Sequence, residues 1–467
     1  MSLSSALFSG ISGLSTLGNA MTVIGDNIAN VNTVGFKSSR VTFQDVLSQT
    51  VATTAGTAQV GRGTSLADIS SSFAQGSFES TDSTTDLAIG GEGFFIVRDP
   101  ENEDNEFFTR AGEFRFDQDG NFVTPAGYVV RGWAYDEDSD TFGGSVGDIS
   151  LSAFTSDPAE TEKITMITNL NSDEGSNCSD LSAEWTGTDE TPIASTAYEY
   201  QTTVKVYDSL GETHDVTVYY DKSTSGTNEW QYIITCDPDQ DKRTVGTTSG
   251  SGLLARGTIA FNSDGEIQNT QDAITMSGYD ITSGSWVPSS MDAGCFVFEP
   301  TFSDAMEVKF DAGAIYNNST SSWEPQSLAS TQYSSASSTT FQSADGYGDG
   351  ALQSVTVGVD GAITGQYSNG EVIPLFRVAL AKFQNEQALY KEGGNLFRET
   401  RLSGEAITAG PGTNGVGSIS PNSLEQSNVD IATEFVKMIT TQRGFQANSK
   451  IITVTDQMLA ELIALKR

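Results

Sequence analysis

The two ends of this chain carry apolar residues at helical spacing, and the long middle does not. Within the first 31 residues Leu3, Leu7, Leu14, Leu17, Met21, Ile24, Ile28 and Val31 follow a 3-4-3-4 spacing interrupted only at Gly10. That is the pattern of a helix seam that packs on another helix. Near the other end Ile431, Phe435, Met438, Phe445, Ile452, Leu459 and Ile463 keep the same spacing, with Gln442, Ser449 and Asp456 at its remaining steps. The first helix also contains Gly10, Gly13, Gly18 and Gly25, each costing about 1 kcal/mol relative to Ala in a helix interior. Burying one Leu or Ile returns roughly 1.5–3 kcal/mol, so this helix is expected to form only against a partner surface.

Between the ends the sequence is rich in Ser, Thr, Gly and Asp and is patterned as short strands. Period-2 runs such as YQTTVKVYDSL, HDVTVYYD and WQYIITC are separated by Gly-bearing turns. A turn phrase with Asp-Gly between apolar residues recurs in FDQDGNFVTPAG, FNSDGEIQNT and VGVDGAITGQYSNG, a strong hairpin signal. The expected fold is mainly β with terminal α-helices: a nested multi-domain chain with a helical coiled-coil end and two or more β-barrel-like or β-sandwich-like domains. Residues 1–32 and 428–467 are assigned to the helical domain, 33–74 and 406–427 to connectors, and 75–155 with 345–405 to a first β domain. An outer β domain, of one module or two, occupies 156–344. The polar stretch SSASSTTFQSADGYGDG reads as a linker.

The formal charge of −37 is unevenly spread. Residues 1–42 and 428–467 each carry a net +1, which leaves −39 for the middle. An acidic body with nearly neutral ends suggests that the body faces water and the ends face protein. Nucleic-acid binding is disfavoured, since no basic stripe is visible. No contiguous apolar run approaches the roughly 18 residues of a membrane span, so membrane insertion is not expected. No basic, apolar leader of the secretory type opens the chain.

Catalytic and metal-binding patterns are weak. His214 is the only histidine and lies in a strand-like segment beside Asp215, so any Ser-His-Asp or Cys-His site would have to be built around it; it reads as an ordinary strand or turn residue. Cys178, Cys236 and Cys295 are widely spaced and form no CxxC pair, and they read as free or buried thiols. Asp117, Asp119 and Asn121 open like a calcium loop, but Phe122 replaces the required Gly and Tyr128 the closing Glu. The run Asp136, Asp138 and Asp140 has the same defect, with Thr141 at the sixth position. GGEGFF does not fit the dinucleotide-binding fingerprint. No catalytic residue, cofactor or metal is expected.

Several phrases together resemble the axial proteins of the bacterial flagellar rod and hook. ANVNTVGFKSSR, directly after the first helix, matches the family phrase ANxNTxGFK through Ala29, Asn30, Asn32, Thr33, Gly35, Phe36 and Lys37. TDLAIGGEGFFIV with FTRAGEFRFDQDGNFVTPAGYVVRGW is similar to the shared β core, and SNVDIATEFVKMITTQRGFQANSKIITVTDQML to the rod and hook tail. VYDSLGETHDVTVYY and the long insert are closer to hook-type members than to short rod subunits. The resemblance implies a structural subunit, not an enzyme, that polymerises with copies of itself into a curved flexible tube transmitting torque from rod to filament. It further implies an extracellular hook location and export by the flagellar type III apparatus without a cleaved signal peptide. The implied partners are the distal rod protein, the hook cap and the hook-filament junction proteins, with the terminal helices lining the tube. Two alternatives are a distal rod subunit and an axial scaffold whose insert has become an adhesin or an enzyme.

Overall fold

The computed structural model describes all residues except 1–2, 54–55, 103–104, 137–138, 140, 152–153, 244–248 and 466–467. Asp138 and Asp140 of the acidic run thus lie outside the described residues. The chain is mainly β with one long helix near each end. It divides into two compact units: residues 1–154, 352–367 and 372–467 form the first, and 155–351 with 368–371 the second.

The first unit contains helix α1, Leu3–Ala29, and helix α2, Ile431–Leu465. Residues Ala6–Ala29 are long and apolar enough to span a bilayer, which the search for contiguous apolar runs did not anticipate. Helix α1 instead packs one face on α2 and on a neighbouring hairpin. The segment 33–74, read from sequence as connector, is largely strand: Ser39–Asp45 pairs antiparallel with Thr64–Ser71, and Gln49–Thr53 with Gly56–Val60. Ser39–Asp45 and Thr64–Ser71 expose Phe43 and Ile69 beside Arg40, Gln44, Asp45 and Asp68 and show no clean alternation of buried and exposed residues, so composition gave the segment the look of a linker. The segment 406–427 likewise carries strands. Ser418–Pro421 pairs with Leu87–Gly90 and Ser423–Glu425 with Phe78–Ser80, bringing distant parts of the chain side by side.

The β body of this unit is packed on both faces of its central strand Phe94–Arg98. Phe95 and Val97 join one apolar cluster with Leu87, Phe122, Val130 and Leu380, while Phe94 and Ile96 join another with Phe108, Phe383 and Phe397. Successive side chains of a strand point to opposite faces, so a continuous apolar run is what two-sided burial requires.

The second unit holds two six-stranded sheets. One is an antiparallel meander from Tyr200–Tyr207 to Ser285–Pro288. The other is mixed and is organised around Lys163–Asn171, which pairs parallel with both Val308–Asp311 and Thr331–Tyr333. A single apolar core joins them, with Val204, Val216, Trp230 and Tyr232 from the first sheet against Met166, Phe298 and Phe310 from the second. Ser338–Ala344, inside the expected linker, is a strand paired antiparallel with Lys163–Asn171. It is mostly exposed, which explains its polar composition.

Two of the three recurrent turn phrases share one device, which the third lacks because Gly358 stands where they place Asp117 and Asn262. In the turns at Asp117 and Asn262 the side-chain oxygen accepts from the backbone N–H groups two and four residues on, and Gly120 and Gly265 adopt φ values of +82° and +81°. A third copy, unforeseen from sequence, is at Asp208 with Gly211 at +80°. Such a side chain replaces a turn's missing backbone acceptor. All three cysteines are free, and burial pushes the Cys178 and Cys236 thiols up to about 12, with the neighbouring Asp221 and Asp241 carboxylates adding to the effect.

Candidate assembly interface

Helices α1 and α2 pack in antiparallel register through small and polar residues more than through the apolar stripes. A Cβ on Gly10 would lie 3.2 Å from Ile452 Cγ1, one on Gly13 2.8 Å from Asn448 Nδ2, and one on Gly444 3.3 Å from Leu17 Cδ1. These glycines therefore set how closely the helices approach. Gly10, Thr16, Ala20, Ile24 and Asn27 of α1 are buried, as are Glu434 and Thr455 of α2. Asn27 Nδ2 donates to Glu434 Oε2 at 3.4 Å. Thr16 and Thr64 hydroxyls meet at 3.1 Å, holding α1 against the hairpin strand Thr64–Ser71.

The stripe residues fall into two groups. Ile24 is buried, and Leu7, Leu14, Leu17, Met21, Ile28 and Val31 are half-buried, as are Met438, Ile452 and Leu459 on α2. Ile431, Phe435, Phe445 and Ile463 are exposed, by 45%, 48%, 43% and 69%. Val436, Ile439, Ile451, Val454 and Met458 are exposed beside them, as are Phe8 and Ile11 on α1. The side chain of Leu3 lies outside what is described. The α2 stripe read from sequence is thus divided: Met438, Ile452 and Leu459 lie near the helix seam, and the remaining four face outward.

Both helix junctions are tied by specific polar contacts. Asp430 caps α2: its Oδ1 accepts from the Ala432 and Thr433 N–H groups, and Thr433 Oγ1 donates to its Oδ2. Those bonds from Thr433 and Ala432 hold the Asp430 carboxyl below the usual value. At the end of α1, Asn27 brackets Ser39, accepting from its N–H and donating to its carbonyl, both at 2.8 Å. Asn428 does the same work from the other side, accepting from Ser38 N–H and donating to the Ser72 and Ala74 carbonyls.

The ANVNTVGFKSSR phrase ends in a buried ion cluster. Gly35, at φ +70°, donates its N–H to the Glu425 carbonyl at 2.7 Å, and a Cβ there would strike Ala111 N at 2.5 Å. Lys37 Nζ, fully buried, donates to Glu425 Oε1 at 2.6 Å and to the Ala74 carbonyl at 3.0 Å. Arg110 Nη1 approaches Glu425 Oε2 at 3.4 Å, and its guanidinium lies 5.2 Å from the Phe94 ring centroid. Burial lowers the pKa of Lys37 and of Arg110, with the Glu425 carboxylate opposing the shift in both. Burial also raises the pKa of the nearby Glu386. One carboxylate therefore joins the loop after α1, the β body and the segment that leads into α2. Of the remaining phrase residues, Asn30 bonds back to Asp26 and receives Thr33 Oγ1, Phe36 lies under Lys391 Nζ, and Ala29 and Asn32 are exposed.

Sequence reasoning did not single out Asn27, Arg110, Glu425, Asn428 or Glu434. Their signal was available only as polar residues embedded in the family-like phrases, because apolar periodicity cannot register a polar seam.

The helical ends, the shared β core and the insert each match a family model. Residues 7–37 match flagella basal body rod protein, 88–169 the flagellar hook protein FlgE/F/G D1 domain, 169–347 the flagellar basal body protein FlaE D2 domain, and 420–465 the flagellar basal body rod FlgEFG protein C-terminal region. Fold and matches together define an axial protein of the flagellar rod and hook class. The chain is 33% identical to the flagellar hook protein FlgE of Borreliella burgdorferi and 32% identical to that of Treponema pallidum, covering 99% of both chains in each comparison. It is 29% identical to FlgE of Escherichia coli over 98% of each chain. The chain belongs to the flagellar hook protein FlgE family. It is a structural subunit of the flagellar hook, a component that self-assembles within the flagellum.

Proposed function

We propose that the terminal helices are the polymerisation interface and that their packing is completed by other copies of this chain. The observation that carries this reading is the division on α2, where Met438, Ile452 and Leu459 are half-buried near the seam with α1 while Ile431, Phe435, Phe445 and Ile463 stand exposed. Covering such half-exposed side chains returns about 1 kcal/mol each, and several per subunit exceed what a weak lateral contact needs. Repeated heterologous contacts that do not close generate a helical tube, here the curved joint between rod and filament, with the helices as its core. Leu3, Leu7, Leu14, Leu17, Met21, Ile24, Ile28 and Val31 contribute from α1, and Met438, Ile452 and Leu459 from α2.

On this reading the subunit passes through the flagellar type III export apparatus unfolded and without a cleaved signal peptide. It polymerises outside the cell under the hook cap and meets the distal rod protein below and the hook-filament junction proteins above. The nearly neutral ends and the glycine-bearing α1 support a helix pair that forms late. Electron microscopy of the purified chain at rising concentration tests the assembly role. Curved hollow tubes from the full chain and none after deletion of residues 1–30 are expected; tubes from the deleted chain would refute it.

A further inference from the structure

The sole histidine belongs to a cluster in the second unit that turn geometry does not explain. Asp208 ends the strand Tyr200–Tyr207, and its Oδ1 accepts from the Leu210 and Glu212 N–H groups at 3.1 and 2.7 Å. That is the whole requirement of the turn, as the copy at Asn262 shows. The second oxygen, Oδ2, faces His214 Nε2 at 3.4 Å. This is long for a charge-assisted hydrogen bond, which runs about 2.7–2.9 Å. It matches the separation of two ligands on one tetrahedral metal, since bonds of about 2.0–2.1 Å at a tetrahedral angle place ligand atoms about 3.4 Å apart.

Three further features suit a metal. Glu212 offers a carboxylate from the exposed side of the same turn, and one ligand atom from each of Asp208, Glu212 and His214 lies within 4.8 Å of the others. The other ring nitrogen, Nδ1, meets Gln240 Oε1 at 2.9 Å, the kind of outer partner that fixes a ligating histidine's tautomer and leaves Nε2 with its lone pair. The imidazole is stacked flat on the buried Phe302, centroids 3.9 Å and planes 5° apart, so its orientation is set before any ligand arrives.

We propose that Asp208, Glu212 and His214 form a binding site for a divalent transition-metal ion of the zinc type, with water at the fourth position. Imidazole with two carboxylates selects such an ion over calcium or magnesium, which prefer oxygen ligands throughout. The ion would pin the turn between the strands Tyr200–Tyr207 and Thr213–Lys222 of the hook subunit's insert.

The test is titration of the metal-stripped full-length chain with Zn2+ against a chromophoric chelator. One equivalent is expected to bind. Asp208→Asn retains the turn, because Asn262 caps an equivalent turn with the same atom, yet it replaces Oδ2 with an amide nitrogen; it should weaken binding about 100-fold, and His214→Gln should do the same. Gln240→Leu, which acts by positioning the ring, should weaken binding by about 10-fold or more. Ca2+ at equal concentration should not compete. Absence of a saturable equivalent in the unmodified chain, or zinc binding that survives both Asp208→Asn and His214→Gln, would overturn the proposal. Equal competition by Ca2+ would overturn it too.

Discussion

The helix pair and the insert sandwich bury their apolar residues to very different extents. In the sandwich Trp230, Tyr220, Val216 and Met166 are 0–1% exposed and meet in one shared core. In the helix pair Ile24 is, among the described residues, the one large apolar stripe residue that is buried; the others are half-buried, such as Leu14, Leu17, Met438 and Ile452, or exposed, such as Phe435, Phe445 and Ile463. Small and polar residues at a helix seam fix distance and register but release little hydrophobic free energy. The contrast teaches that the sandwich closes its core within one chain, whereas the helix pair leaves large apolar side chains exposed, the feature on which the proposed polymerisation interface rests.

The largest effect that can break this comparison lies in the sandwich. Trp230→Ala should destabilise the second unit by about 3–5 kcal/mol, read by urea unfolding of the monomer. A loss under about 1 kcal/mol would mean that the sandwich too relies on neighbours. Lys37→Met leaves Glu425 buried without its closest cation and should cost a similar 3–5 kcal/mol in the first unit, visible as an early transition in calorimetry with the second unit unmoved. The double variant Phe435→Ser with Phe445→Ser should change monomer stability by no more than about 0.5 kcal/mol yet raise the critical concentration for tube formation at least about tenfold, equivalent to about 1.4 kcal/mol.

Two smaller effects sharpen the contrast. Gly18 and Gly25 have nothing within 4 Å of a built Cβ, so Gly18→Ala and Gly25→Ala should each stabilise α1 by about 1 kcal/mol, measured as increased helix content by circular dichroism. If tube formation then weakens, these positions are reserved for a neighbour's side chain. The last effect concerns pH. Burial raises the Glu386 carboxyl above its ordinary value of 4.5, so the native state holds that proton more tightly than the unfolded one. Its contribution to stability is fully present below 4.5 and is lost as the pH rises through the native value. Glu386→Gln should flatten the stability-pH curve just above 4.5, and an unchanged slope would remove Glu386 from the account.

Much of the architecture was legible because it rests on periodicity. The helical spacing marked α1 and α2, alternation marked strands such as Tyr200–Tyr207, and the Asp-Gly phrases marked turns whose glycines do take positive φ. What escaped rests on partners far away in sequence or on polar atoms. Ser338–Ala344 and Thr64–Ser71 are strands because Lys163–Asn171 and Ser39–Asp45 offer them edges, and their own composition says linker. At the interface the apolar spacing marked Ile24 and the half-buried stripe residues together with the side chains that α2 leaves outward, and it passed over the polar residues buried beside them. Lys37 was visible as part of a phrase, but its partner Glu425 is 388 residues away. His214 was set aside because it lacked a sequence motif; its neighbours Asp208 and Gln240 come together only through the turn and the fold.

The central claim, that the helix pair is completed by neighbouring copies while the sandwich is complete alone, is tested most directly by amide hydrogen exchange on monomer and assembled tube. The account predicts that Leu3–Ala29 and Ile431–Leu465 exchange rapidly in the monomer and become strongly protected in the tube. The strands from Tyr200–Tyr207 to Ile274–Asp280 should be equally protected in both. Helices already protected in the monomer to the level seen in the tube would contradict it.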